Sequence, residues 1–188
     1  MKKIICLSGL AGSGKSTIGK QLASLLEVPF LSIGNFTREY ATSFQLDINQ
    51  FQKLAASTQG IDEMIDKRFI ELVRNQEKCV LDYRLGFHFI PEAFHVLLQV
   101  EEFVATNRII GRNDKTDGQK EGIGLEIQIE QIRERNGDMR DRLFRTYGVD
   151  FTDETNYDMI IDTTSISATE AVLDIIANVG GAIYFCGY

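Results

Sequence analysis

Gly9-Leu10-Ala11-Gly12-Ser13-Gly14-Lys15-Ser16-Thr17 decides how the rest of this chain is read. The stretch satisfies the phosphate-loop pattern G-x-x-x-x-G-K-[ST] without a mismatch. Glycine at those places lets main-chain N–H groups turn inward and approach a triphosphate. Gly9 to Thr17 are therefore the candidate ATP-binding residues. Lys15 would reach the β- and γ-phosphates, and the Ser16 hydroxyl would hold Mg²⁺. Before the loop, Lys3-Ile4-Ile5-Cys6-Leu7-Ser8 is an apolar run suited to a buried parallel strand. After it, Ile18, Leu22, Leu25 and Leu26 recur at helical spacing. Strand, loop and helix are the context that the mechanism requires, with the positive helix N-terminus facing the same anion.

The chain has 188 residues, 44% hydrophobic and 25% charged, which fits one soluble domain with a mobile insert. It contains no run of about 18 apolar residues and no secretory leader pattern, so a cytoplasmic location is expected. Cys6, Cys79 and Cys186 share no metal-like spacing; Cys6 and Cys79 lie in apolar runs and read as buried thiols. A net charge of −7 argues against nucleic-acid polymers as partners. Positive charge is instead gathered locally, because seven of the eleven arginines lie between Arg108 and Arg145.

Farther along, Val28 to Ile33 reads as a second strand. Three short helical pieces follow, carrying Phe36 and Tyr40, then Phe51 and Leu54, then Ile61, Ile65, Phe69 and Val73. Together they form a substrate-covering insert over about residues 34–75. Cys79-Val80-Leu81-Asp82 is a strand ending in a carboxylate, and Phe94 to Val100 is the next. Glu102 to Asn113 and Ile123 to Tyr147 read as helices around a polar, glycine-rich lid over about 111–124. Tyr157 to Asp162 is the last strand. Ser167 to Val179 is a final helix, capped by Ser167 with Glu170 three residues on. The alternation predicts a parallel sheet with helices on both faces and ligands at the carboxyl ends of its strands.

Four constellations carry chemistry. Arg108 and Arg112 are i, i+4, and Arg135, Asp138, Arg142 and Arg145 also share a helix face. Beside a lid this is a clamp on phosphoryl charge; alternatively it is a solvated surface. Ser32 and Arg38 are placed to bind an acceptor phosphate, or to cap a helix whose next turn carries a surface Arg. Asp82-Tyr83-Arg84 offers a carboxylate for Mg²⁺ and a cation in the same cleft, or a strand-ending turn. Asp62 and Asp66 read as a solvated or salt-bridged face. His88 and His95 offer neither metal nor triad spacing, and His95 reads as a core residue.

In order and spacing these pieces resemble the short, archaeal-type cytidylate kinases of the nucleoside monophosphate kinase family, over residues 3 to about 177. Gly9 to Thr17 resemble that family's G-x-A-G-S-G-K-S-T loop. Ser32-Ile33-Gly34 with Arg38, Ile61-Asp62 with Ile65-Asp66-x-Arg68, and Asp82-Tyr83-Arg84-Leu85 resemble its later motifs. So do Ile132-x-x-Arg135, Tyr147-Gly148-Val149-Asp150 and Ile161-Asp162-Thr163-Thr164. The resemblance implies a three-layer P-loop fold with a five-stranded parallel sheet of order 2-3-1-4-5, a helical monophosphate-binding insert and a short lid. It implies ATP and a nucleoside monophosphate as partners, Mg²⁺ held by Ser16 and Asp82, and a monomer or small homo-oligomer. Ser32, Arg38, Arg84 and Arg142, beside Asp82, would hold the acceptor phosphate, with Arg135 and Asp138 at its ribose. Arg108 and Arg112 would face ATP or the transferring group. Lys15, Arg84, Arg108, Arg112, Arg135 and Arg142 would be catalytic. Tyr83 departs from the family's small residue in a direction that would narrow the acceptor cleft, and Gly86-Phe87-His88-Phe89 departs from its following run.

Two rival readings stand beside transfer to a nucleoside monophosphate. A kinase of a small hydroxyl acceptor would want a positioned carboxylate base. Ser32 and Asn35 at the end of the second strand do not supply one, and only Asp82 does. A nucleotide-binding regulator without catalysis would draw support from Tyr83 and the altered run after Arg84.

Overall fold

The computed structural model describes residues 3–58, 60–113 and 125–179. Five strands, β1 (Ile4–Gly9), β2 (Phe30–Ser32), β3 (Cys79–Asp82), β4 (Phe94–Gln99) and β5 (Met159–Asp162), form one sheet of order β2-β3-β1-β4-β5. Every pairing is parallel. The helices are α1 (Lys15–Leu25), α2 (Ile33–Ser43), α3 (Ile48–Ser57), α4 (Ile61–Arg74), α5 (Gly86–Phe89), α6 (Glu102–Asn113), α7 (Leu125–Tyr147) and α8 (Ala168–Val179). This is the expected α/β architecture and strand order.

Alternation along the strands builds two apolar layers, because successive side chains point to opposite faces. Ile5 and Leu7 turn toward α1 and α8, meeting Ile18, Leu22, Val172 and Ile175. Ile4 and Cys6 turn the other way, toward Phe69 and Val73 of α4 and Phe151, with Leu143 and Tyr147 of α7 packed against that side. A third small cluster of Ala41, Phe51 and Ile65 holds α2, α3 and α4 together. Helices α2, α3 and α4 thus share a small cluster built from apolar residues that recur at helical spacing.

Boundaries shift in a few places. Helix α2 begins at Ile33 with no intervening turn at Gly34-Asn35, and α5 was not expected at all. Gly111 to Asn113 complete α6 where the lid was placed. Residues 114–124 of that lid, and the apolar tail 180–188, lie outside the described residues. The cap on α8 forms as read: Ser167 N–H donates to Glu170 Oε2 at 2.7 Å and Glu170 N–H to Ser167 Oγ at 3.2 Å. Cys6 and Cys79 are buried, and so is His95.

Gly86 opens α5 directly beneath the sheet, where a Cβ would come within 2.1 Å of Cys6 Sγ. Gly86→Ala should therefore cost about 1–3 kcal/mol through overpacking. Chemical denaturation of the two single variants and of Cys6→Ala/Gly86→Ala checks this. The double variant should be more stable than the summed single losses by roughly 1 kcal/mol, since the clashing atom is gone; strict additivity would contradict it.

Candidate active site

The phosphate loop links β1 to α1. Gly12 and Gly14 take φ of 84° and 92°, a left-handed backbone that side chains disfavour. A Cβ on Gly12 would also meet the Ala105 backbone oxygen at 2.6 Å, so α6 packs against the loop's crest. Lys15 is buried and donates from Nζ to the Leu10 carbonyl at 2.7 Å and to Ser13 Oγ at 3.3 Å. Its side chain is held across the loop whose amides would cradle an anion.

Strand register brings the next parts to the loop. Leu7 and Ser32 both pair with Asp82 through β1–β3 and β2–β3. Asp82 is buried, and its Oδ2 accepts from Ser16 Oγ at 2.8 Å and from Ser32 Oγ at 3.5 Å. A hydroxyl and a carboxylate are hard oxygen donors of the kind Mg²⁺ takes, beside water and phosphate. Among the described residues no group of three or more His, Cys, Asp or Glu could cage a metal. The pair fits an ion brought with a nucleotide, which is how Mg²⁺ is usually held.

A cleft of about 550 Å³ opens from this point, within the range of ligand pockets. Ala11, Gly12, Gly14, Lys15, Ser16, Ser32, Arg38, Asp82, Arg84, Arg135 and Arg142 all line it. The structure therefore gathers most of the residues singled out from sequence. Gly9, Leu10, Ser13 and Thr17 belong to the loop without lining the cleft. Sequence reasoning missed its wall of Ile48, Phe51 and Ala55 from α3, with Ile65 from α4. These residues read as core, and Phe51, Ala55 and Ile65 are indeed buried.

The arginines divide. Arg84 lies over the Phe151 ring at 5.9 Å, and its Nε is buried without a hydrogen-bond partner. Burial pulls its guanidinium below the ordinary arginine range, and Asp82 opposes that pull. Arg142 Nε stands 3.4 Å from Asp62 Oδ2 without an aligned hydrogen bond. Arg38 Nη1 donates to Asn35 Oδ1 at 2.7 Å. Arg108 does not line the cleft. It braces the loop instead, donating to the Gly12 carbonyl at 3.4 Å, Thr163 Oγ1 at 3.1 Å and the Thr163 carbonyl at 2.6 Å. Arg112 has a backbone place at the end of α6, and its side chain lies outside the described residues.

Asp138 and Arg145 are exposed and do not join the cleft, contrary to the shared face expected for α7. At about 100° per residue, Asp138 and Arg145 fall roughly 60–80° to one side of Arg135. The helix turns its other flank inward, and Met139 and Leu143 line the cleft with Arg135 and Arg142. Arg133 and Arg140 pair at the surface, the first with Glu102 and Glu130 and the second with Asp150.

Asp66 departs most from its sequence reading. It is buried, with Oδ1 accepting from the Tyr83 hydroxyl at 2.9 Å and Oδ2 from the Tyr147 hydroxyl. Asp62, one turn earlier, is the salt-bridged member that the sequence allowed. Tyr83 is only 2% exposed and packs against Phe69 and Phe89 at ring distances of 5.2 and 6.1 Å. It adds bulk to the core and a donor to Asp66, and it also lines the cleft, where the sequence reading expected it to stand.

A central β1 between β3 and β4, with a glycine loop feeding α1 and a carboxylate at the end of β3, defines a P-loop kinase fold. Shikimate kinase from Acinetobacter baumannii superposes with a TM-score of 0.60 at 18% identity, covering 97% of this chain and 95% of that one. A model of the cytidylate kinase-like family matches residues 4–165, and the chain belongs to that family. Cytidylate kinase from Sulfolobus acidocaldarius is 32% identical over 178 residues, 93% of this chain and 92% of that protein. A protein from Lacinutrix mariniflava named S-adenosylmethionine-dependent nucleotide dehydratase is 44% identical over 179 residues, 94% of this chain. The match spans 35% of that protein's length.

Burial pushes the Asp66 carboxyl above its ordinary value of 3.8, and the two tyrosine hydroxyls offset part of the rise. As pH falls the folded chain then takes up this proton before the unfolded chain does, so stability is lost as pH rises through the raised value. The melting temperature of the native protein should fall relative to that of Asp66→Asn between about pH 4 and pH 7. A difference that stays constant over that range would show that Asp66 titrates normally.

Proposed function

We propose that this chain is a nucleoside monophosphate kinase that transfers the γ-phosphoryl of ATP to CMP or dCMP, giving CDP or dCDP and ADP. One observation carries the reading: a single cleft is lined by the phosphate loop and by four arginines drawn from α2, the end of β3 and α7. A site for one nucleotide needs the loop alone. Four additional guanidiniums beside it suit a second, phosphorylated ligand.

The acceptor phosphate has a second pKa of about 6, so near neutral pH it is already an anionic nucleophile. No general base is then required, and rate comes from placement and charge stabilisation. The loop amides and Lys15 would hold the donor's β- and γ-phosphates. Arg84 and Arg142 would hold the acceptor phosphate, with Arg38 and Ser32 beside them and Arg135 at the acceptor's ribose. Arg84 would act from a desolvated position, where a charge is felt more strongly than in water. Bound Mg²⁺ would bridge donor phosphates and neutralise charge, held by Ser16 and, directly or through water, by Asp82.

Transfer to a neutral hydroxyl is less well supported. Its base would have to be Asp82, whose Oδ2 already accepts from Ser16 and Ser32. A non-catalytic regulator would draw on Tyr83 and the run after Arg84, and the four arginines that line the cleft beside the phosphate loop favour a working acceptor site over it.

A second reading concerns where the product goes. Identity to part of the Lacinutrix protein, at 44%, exceeds the 32% to the Sulfolobus cytidylate kinase. A module that phosphorylates nucleotides and an activity that dehydrates a nucleotide act on the same class of molecule. By that likeness the phosphorylated product of this chain would feed a nucleotide dehydration. The acceptor it prefers should then match the base that the dehydratase consumes, and a mismatch in parallel assays would count against the link.

ADP release coupled to a reporter, measured across CMP, dCMP, UMP, AMP, GMP and shikimate, tests the main reading. CMP or dCMP should give the highest kcat/KM, and no release above basal hydrolysis with any of the six overturns the proposal. Lys15→Ala should lower kcat by about 100-fold or more with little change in melting temperature. Arg84→Ala and Arg142→Ala should each raise the acceptor KM by about tenfold or more while sparing the KM for ATP.

A further inference from the structure

Arg84 presents a physical problem. Its Nε is buried and makes no hydrogen bond within the protein, so that atom does not hold the guanidinium in place. Its position must come from what surrounds it. The guanidinium lies over the Phe151 ring, with 5.9 Å from Cζ to the ring centroid. The Arg84 carbonyl is 3.4 Å from Ser8 Oγ on β1. Both of those supports meet at one atom, the Tyr157 hydroxyl. It lies 2.9 Å from Ser8 Oγ and in hydrogen-bond contact with the Phe151 carbonyl.

Counting protons settles the direction of this network. The Phe151 carbonyl can only accept, so the single Tyr157 proton goes there. The Ser8–Tyr157 contact then needs the Ser8 proton, which Ser8 shares with the longer contact to the Arg84 carbonyl. Removing the Tyr157 oxygen takes this donor from the Phe151 carbonyl, in the residue whose ring lies beneath Arg84. The ring of Tyr157 is separately fixed by Phe87 at 5.7 Å, so its hydroxyl can be removed without emptying the site.

We propose that Tyr157 is a positioning residue for Arg84, holding the Phe151 platform under the guanidinium and Ser8 against the Arg84 backbone so that Arg84 lines the cleft in the orientation an acceptor oxyanion needs. This deepens the assignment of Arg84 to the acceptor phosphate and rests on it. Tyr157 touches no ligand itself. It acts at the start of β5, so the sequence stretch that enters the last strand also sets the acceptor site.

The test uses the whole protein and two independent readouts. The first is the ¹H–¹⁵N signal of the Arg84 Nε–H, identified by its loss in Arg84→Lys. It should exchange slowly with solvent in the native protein, and about tenfold faster in Tyr157→Phe as the platform loosens. The second is CMP binding by calorimetry. Tyr157→Phe should weaken it about fivefold to tenfold with ATP affinity within about twofold. Arg84→Ala/Tyr157→Phe should bind CMP no more weakly than Arg84→Ala alone. If Tyr157→Phe does not fold, Ser8→Ala carries the same two readouts. Unchanged Nε–H exchange, or additive losses in the double variant, overturns the proposal. A native protein that binds no CMP would remove the assignment of Arg84 to an acceptor, while the exchange measurement would still decide whether Tyr157 braces it.

Discussion

A buried carboxylate is costly unless hydroxyls or cations meet it, and the site is arranged around how Asp82 meets that requirement. Ser16 from the first turn of α1 and Ser32 from the end of β2 both donate to the same oxygen. Both can do so because β3 lies between β1 and β2, as the register places it. The sheet order is therefore a condition for the site as well as for the core. A β3 at an edge would have only one neighbouring strand, and Asp82 would lose one of its two donors.

Around that carboxylate the chain distributes charge against its own overall sign. A protein of net charge −7 places Lys15, Arg38, Arg84, Arg135 and Arg142 along one cleft. Such a concentration is unfavourable in isolation, since like charges in a partly desolvated space repel. It is tolerable where anions enter, and the exposed arginines Arg133 and Arg140 show the contrast by pairing with neighbouring carboxylates. Arg108 has a third use. By gripping Thr163 and Gly12 it ties α6 to the end of β5 and to the loop.

Much of this was legible from sequence because it rests on local rules. The nine-residue loop carries its own geometry, and strand ends are where a parallel sheet collects ligands. Ser16, Ser32, Asp82 and Arg84 could be assembled from that alone. Less legible was anything set by the rotation of a helix about its axis. The periodicity of α7 defines a polar arc but not which edge of it faces inward, so Asp138 was included and Met139 omitted. Asp66 was hidden for another reason: its partners Tyr83 and Tyr147 lie 17 and 81 residues away, and no local pattern announces a buried carboxylate that meets two hydroxyls. Thr163 was visible only as the end of a strand, and its hold on Arg108 is a contact across 55 residues.

The two aspartates of α4 show how the insert is joined to the rest. Asp66 meets Tyr147 at the foot of α7, and Asp62, one turn along, meets Arg142 nearer the cleft. The first contact is buried and reinforced by Tyr83, so it has the character of a fixed joint. The second is weaker by construction, with Nε and Oδ2 3.4 Å apart and no aligned hydrogen bond. Burial also raises the Asp62 carboxyl, so the charge that Arg142 faces there is poorly stabilised. On the proposed reading, an acceptor phosphate arriving at Arg142 competes with this carboxylate. It offers stronger, bidentate partners to a guanidinium that is already oriented. On that reading α4 keeps its joint at Asp66 while Arg142 exchanges the Asp62 carboxylate for the incoming phosphate.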